Sequence, residues 1–136
     1  MDSLSGAPRQ PLRIFVLENH PDTLKYLAMF LESLGHTTVR ARTMKEALAA
    51  LPEADCDVLI SDIGLPDGNG WELLERMRKE KLAHPPYAIA MSGFGTTADQ
   101  GKSRAAGYRH HLLKPFDPER LEVMLDEAAR ELATSR

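Results

Sequence analysis

The run Asp57-Val58-Leu59-Ile60-Ser61-Asp62-Ile63-Gly64-Leu65-Pro66-Asp67-Gly68-Asn69-Gly70 joins a short apolar β-forming segment to a carboxylate and then to dense turn chemistry. Val58, Leu59 and Ile60 show no polar alternation, which suits a strand covered on both faces, as in a parallel sheet. The expected strand covers 57–61 and delivers Asp62 at its carboxyl end. Pro66, Asp67, Gly68 and Gly70 then turn the chain, and a helix through Trp71, Leu74, Met77 and Arg78 follows.

The same unit recurs on both sides. Upstream, residues 13–17 form an apolar strand, Glu18-Asn19-His20-Pro21-Asp22 a polar loop, and Leu24, Leu27, Leu31 and Leu34 a helical stripe closed by Gly35. Residues 37–41 are a second strand. Thr43 and Glu46 have the spacing of a capping box at the start of the next helix, which Pro52 is expected to close. Downstream of the His84-Pro85-Pro86 break come a strand over 87–91 and a loop over 92–95. A helix over 96–106 follows, with small residues and a poor apolar stripe. A strand over 108–113 ends at Lys114-Pro115. Asp117, Pro118 and Glu119 open the last helix as N-cap, N1 and N2, and Leu121, Met124, Leu125, Ala128 and Leu132 give its inner face.

Five strand–helix repeats imply an α/β fold with helices on both faces of a parallel sheet. Right-handed crossovers leave few topologies. The natural one is a doubly wound five-stranded sheet of order 2-1-3-4-5, a (βα)5 arrangement. The expected domain runs over 12–133, between a Pro-, Gly- and Ser-rich tail at 1–11 and a short tail at 134–136.

Bulk properties narrow the function. The 136 residues fit one domain, and a net charge of -3 lacks the basic excess of a nucleic-acid-binding surface. Cys56 is the single cysteine, so no intramolecular disulfide forms, which suits a reducing cytosol. No apolar run approaches the ~20 residues of a membrane span, and the first residues lack the apolar stretch of a signal peptide. A cytoplasmic domain that touches neither membrane nor nucleic acid is the expectation. Cys56 reads as a small structural residue, Trp71 as packing or an exposed contact on the third helix, and His20, His84 and His110 as loop or surface residues; His20 lies near the carboxyl ends of the strands, but one histidine with Glu18 falls short of a transition-metal signature.

Ligands of open α/β sheets bind beyond the carboxyl ends of the strands. The residues at those ends are Glu18 and Asn19, Asp62, Ser92 and Lys114, and the strand order makes them converge. A carboxylate can accept a phosphoryl group. Acidic and amide oxygens suit Mg²⁺, and a lysine neutralises charge that develops on a transferring phosphoryl group. A hydroxyl followed by the Gly93 amide can hydrogen-bond a phosphoryl oxygen. A cis proline bond fits the Lys114-Pro115 junction.

Together, residues 60–70, Met91-Ser92-Gly93 and Leu113-Lys114-Pro115-Phe116 resemble the receiver domain of two-component response regulators over about residues 12–132, a flavodoxin-like, CheY-like fold. The resemblance implies that Asp62 accepts a phosphoryl group from a phosphohistidine on a histidine kinase or phosphotransfer protein. Lys114 then contacts the acyl phosphate, and Ser92 swings toward it. Gly64 and Gly93 present amides to the phosphoryl oxygens. Glu18, Asn19, Asp62 and the Gly64 carbonyl hold Mg²⁺. It also implies a signalling domain rather than an enzyme, and a homodimer through the fourth-helix face. The Pro-rich start and residues 61–68 are similar to receivers at the C-terminus of hybrid sensor histidine kinases, so the chain reads as a stand-alone receiver or as part of a larger protein.

Two positions depart from the family. Asn19 stands where receivers carry the second of two adjacent acids. One unit-charge attraction at ~4 Å is worth up to about 4 kcal/mol at an effective dielectric near 20, so weak Mg²⁺ binding is expected. A phosphorylation-independent pseudo-receiver, a protein-binding module, is the alternative that Asn19 favours. His111 stands where a switch aromatic is common and is read as a candidate switch residue. A phosphatase on a similar sheet needs a second acid where Gly64 stands, and an FMN protein needs a phosphate-cradling loop where Glu18 stands.

Overall fold

The computed structural model describes residues 11–80, 85–93 and 97–135. Expectations for the first ten residues, for His84 and for the loop at 94–96 lie outside them. In chain order the elements are β1 (Arg13–Leu17), α1 (Pro21–Ser33), β2 (Thr37–Ala41), α2 (Met44–Ala54), β3 (Val58–Asp62), β4 (Gly64–Leu65), β5 (Gly68–Asn69), α3 (Gly70–Lys79), β6 (Tyr87–Ser92), α4 (Thr97–Ala106), β7 (His110–Leu113) and α5 (Pro118–Ser135). The five long strands form a parallel sheet of order β2-β1-β3-β6-β7, which is the expected 2-1-3-4-5.

The apolar runs dictate this arrangement. β3 and β6 are buried along their whole length. One core layer packs Leu24, Leu27 and Leu31 of α1 and Leu121, Leu125 and Ala128 of α5 against Ile14, Val16, Ile60 and Ile89. The other packs Met44, Ala47 and Leu51 of α2 and Leu73, Leu74 and Met77 of α3 against Phe15, Leu17, Leu59 and Ala90. Alternate residues of each strand thus serve opposite layers. Helix ends follow the local chemistry. The Thr43 hydroxyl accepts from the Glu46 amide, Asn69 does the same for Glu72, and Asp117 for Glu119. Gly35, at φ +98, turns the chain out of α1.

Four local expectations need correction. Pro52 does not close α2. It is exposed and lies inside the helix, which ends at Ala54 with Asp55 in the left-handed region (φ 48). The proline removes the amide that would donate to the Leu48 carbonyl, and the helix runs only two residues beyond it. The 64–69 turn closes on itself as the antiparallel β4–β5 pair. The last strand starts at His110, because Tyr108 is spent in the core below it. His110 is half-buried in β7 and bonds the Tyr87 hydroxyl at 2.8 Å.

Candidate functional site

Register brings the strand-end residues into one row. Leu17 pairs with Ser61, so Glu18 stands beside Asp62. Asp62 pairs with Met91, which puts Ser92 next along. Ser92 pairs with Leu113, and Lys114 follows. The Lys114 amide donates to the Ser92 carbonyl at 2.8 Å, and the Lys114–Pro115 bond is cis.

The charged half of the row is tight. Lys114 Nζ lies 2.8 Å from Asp62 Oδ2 and 2.5 Å from Glu18 Oε1. Glu18 is fully buried. Its Oε2 accepts from the His20 amide at 2.7 Å and lies 3.2 Å from His20 Nδ1. Its Oε1 is paired with the Lys114 ammonium. Asp62 Oδ1 accepts weakly from the Gly64 amide at 3.3 Å. Asn19 is half-buried, with its backbone carbonyl toward Arg42, and Gly93 lies exposed beyond β6.

These neighbours set the ionisation. Burial raises the Asp62 pKa above the usual carboxylate range; the charge on Glu18 adds to this, and the Lys114 bond opposes it. Burial pushes Glu18 the same way, yet the His20 amide and the Lys114 ammonium outweigh it and hold that carboxyl below its ordinary value. For Lys114, burial disfavours the ammonium, but its bonds to Asp62 and Glu18 win and raise its pKa. Two carboxylates and one ammonium leave a net negative charge in a half-closed crevice. That charge and the oxygen donors around it suit a divalent cation. One ligand atom from each of Glu18, His20 and Asp62 lies within 4.8 Å of the others.

The other half of the row is neutral. Ser92 Oγ lies 2.8 Å from His111 Nε2, and His111 Nδ1 lies 3.1 Å from Ser103 Oγ on α4. The Trp71 indole N–H donates to Ser103 Oγ at 2.9 Å. One order of protons satisfies all three contacts: indole to Ser103, Ser103 to Nδ1, and Nε2 to Ser92. Sequence reading singled out Ser92 and His111 but not Ser103 or Trp71. A serine in a weakly amphipathic helix carries no signal of its own. Tyr108 was missed too. Its buried hydroxyl donates to the Gly70 carbonyl at 2.6 Å, and a Cβ at Gly70 would meet the Asp62 carbonyl at 2.8 Å. The start of α3 is therefore pressed directly against the backbone of Asp62.

Comparison with known proteins agrees with this geometry. The sequence model of the response regulator receiver domain matches residues 14–126. The chain is 32% identical over 105 residues to an uncharacterized 14.6 kDa protein of Leptolyngbya boryana, covering 77% of this chain and 80% of that one. It is 35% identical over 132 residues to the virulence sensor protein BvgS of Bordetella bronchiseptica, covering 93% of this chain but 11% of BvgS. A CheY-like response regulator receiver domain protein from Methanospirillum hungatei superimposes with a TM-score of 0.83 at 26% identity, over 93% of this chain and all of that one. With sheet order, strand-end chemistry and family match in agreement, the chain belongs to the response regulator receiver domain family of two-component signalling.

Proposed function

We propose that this receiver is a working phosphoacceptor, with Asp62 taking a phosphoryl group from a phosphohistidine of a histidine kinase or phosphotransfer protein. The observation that carries the reading is the Lys114–Asp62 contact of 2.8 Å between side chains 52 residues apart. In the transfer an Asp62 carboxylate oxygen bonds to phosphorus, the phosphorus–nitrogen bond breaks, and the imidazole leaves and takes up a proton. The raised Asp62 pKa marks a more basic oxygen than an exposed aspartate offers. Lys114 neutralises charge on the transferring group, and the Gly64 and Gly93 amides face its oxygens. Glu18, Asn19, Asp62 and the Gly64 carbonyl would hold Mg²⁺, which supplies further charge neutralisation. Asn19 brings no charge to that set, so this binding is weak.

Ser92, tied to His111 before phosphorylation, is the switch. It leaves that bond for a phosphoryl oxygen, and the chain through Ser103 carries the change to Trp71. A homodimer through the fourth-helix face belongs to the same reading; Leu113 on the edge strand and Val123 on α5 are exposed large apolar side chains, as are Tyr26 and Met29 on α1. Membership of a longer sensor is part of it too, by likeness to BvgS.

The test is acetyl phosphate with Mg²⁺, read by intact mass. One phosphoryl group is gained by the chain and not by Asp62→Asn, with a change in Trp71 fluorescence that Ser103→Ala removes. Asn19→Asp raises Mg²⁺ affinity. Asn19 favours a second reading, the pseudo-receiver that binds a protein without phosphotransfer. Absence of any mass gain, from acetyl phosphate or from a phosphorylated histidine kinase, establishes that reading instead.

A further inference from the structure

The geometry points to a mixed nitrogen–oxygen metal site: we propose that His20 joins Glu18 and Asp62 and turns the crevice toward first-row transition cations of the cobalt, nickel and zinc class, in preference to Mg²⁺. The inference deepens the metal site of the receiver reading and rests on it for the position of the cation.

His20 occupies the N-cap position of α1, yet its side chain makes no capping hydrogen bond. Pro21 follows it at the first helical position and needs no donor partner. The capping work falls instead to Glu18, whose Oε2 accepts the His20 amide at 2.7 Å. That bond curls the loop back and brings the imidazole over the carboxylate, with Nδ1 3.2 Å from Oε2. Two donors bound at right angles to one ion at about 2.1 Å stand about 3.0 Å apart, so the pair is already spaced as ligands of one cation. Asp62 supplies the third donor, within 4.8 Å of both. Glu18 Oε1 is held by the Lys114 ammonium, so Oε2 is the oxygen that Glu18 turns toward the imidazole.

Donor type then decides selectivity. Mg²⁺ takes oxygen ligands and gains little from an imidazole, whereas cobalt, nickel and zinc bind imidazole nitrogen strongly. Asn19 withholds the charge that would favour Mg²⁺, while His20 adds the nitrogen that favours the others. The ring is 71% exposed, so it can turn onto an ion without disturbing the core.

The experiment is isothermal titration of the whole chain with CoCl₂ and, separately, MgCl₂. We expect Co²⁺ to bind about tenfold tighter than Mg²⁺. In His20→Ala, Co²⁺ affinity falls about tenfold, while Mg²⁺ affinity stays within about twofold of the parent value. His20→Gln, which keeps a polar side chain, gives the same split. Paramagnetic broadening by Co²⁺ falls on the Gly64 amide. Equal losses for both metals, no loss for Co²⁺, or broadening centred on His110 and His111 overturns the inference. Its failure is separable from that of the phosphoacceptor reading. A chain that gains a phosphoryl group but whose Co²⁺ affinity ignores His20 loses only this proposal. A chain that binds Co²⁺ through His20 and gains no phosphoryl group loses only the other.

Discussion

The two halves of the strand-end row are built in opposite ways. Around Lys114 the contacts are between charges, and the backing is α5, which buries Leu121, Leu125 and Ala128 with Leu27 and Leu31 of α1 in one core layer. Around Ser92 the contacts are neutral hydrogen bonds, and the backing is α4, whose one buried residue is Ser103. A helix held by several leucines cannot shift without opening cavities. A helix that buries one serine and packs on the core through Ala106 at its end is freer to do so. The charged half is therefore the more rigidly backed of the two, and the neutral half the more loosely backed.

The largest expected effect tests the charged half. Leu125→Ala removes a side chain that is 1% exposed and should cost about 3 kcal/mol in urea unfolding. A cost below about 1 kcal/mol, within the range of surface changes, would mean that α5 is as loosely held as α4 and would erase the contrast. A smaller effect tests the neutral half. Ser103→Ala deprives the Trp71 indole and His111 Nδ1 of their shared partner and should cost about 1 to 2 kcal/mol. Amide exchange should quicken along Thr97–Ala106 and stay unchanged along α5. Equal quickening in both helices would show that Ser103 supports the whole domain, not α4 alone.

The contrast also explains what was legible beforehand. Glu18, Asp62, Ser92 and Lys114 each end an apolar run, and hydrophobic pattern reads run ends well; the order of the strands followed from their alternation with helices. The partners of the neutral half left no such trace. Ser103 lies in a helix without a stripe, and Trp71 was open between packing and an exposed contact because the sequence alone does not show where an indole N–H points. His20 was placed near the site but short of a metal signature, since the approach of its ring depends on Glu18 folding back to accept its amide. The β4–β5 pair was hidden inside residues whose local preference is to turn. His110 carries a polar ring into a half-buried strand position, where the Tyr87 hydroxyl satisfies it. In each case a specific polar contact decided the outcome, and periodicity does not encode such contacts.

The smallest effect has the opposite sign and bears on the charged half itself. Asp62 has a raised pKa, first through burial and then through the charge of Glu18. A raised folded-state value means that the group's contribution to stability is fully present below its unfolded value near 3.8 and is lost as pH rises through the folded value. Glu18, with a lowered pKa, contributes in the reverse sense: its stability is present above about 4.5 and is lost as pH falls through the folded value. At neutral pH the charged row thus contains one ionised group that stabilises the fold and one that strains it. Asp62→Asn removes only the strained charge and leaves Lys114 paired with Glu18. It should raise stability at pH 7 by about 1 kcal/mol. The gain should shrink as pH falls toward 4 and the parent Asp62 takes up its proton. Urea unfolding of both chains across that range reads the effect directly. A loss of stability at pH 7 would mean that the Lys114–Asp62 bond outweighs burial, and that this charge pair helps hold the site together.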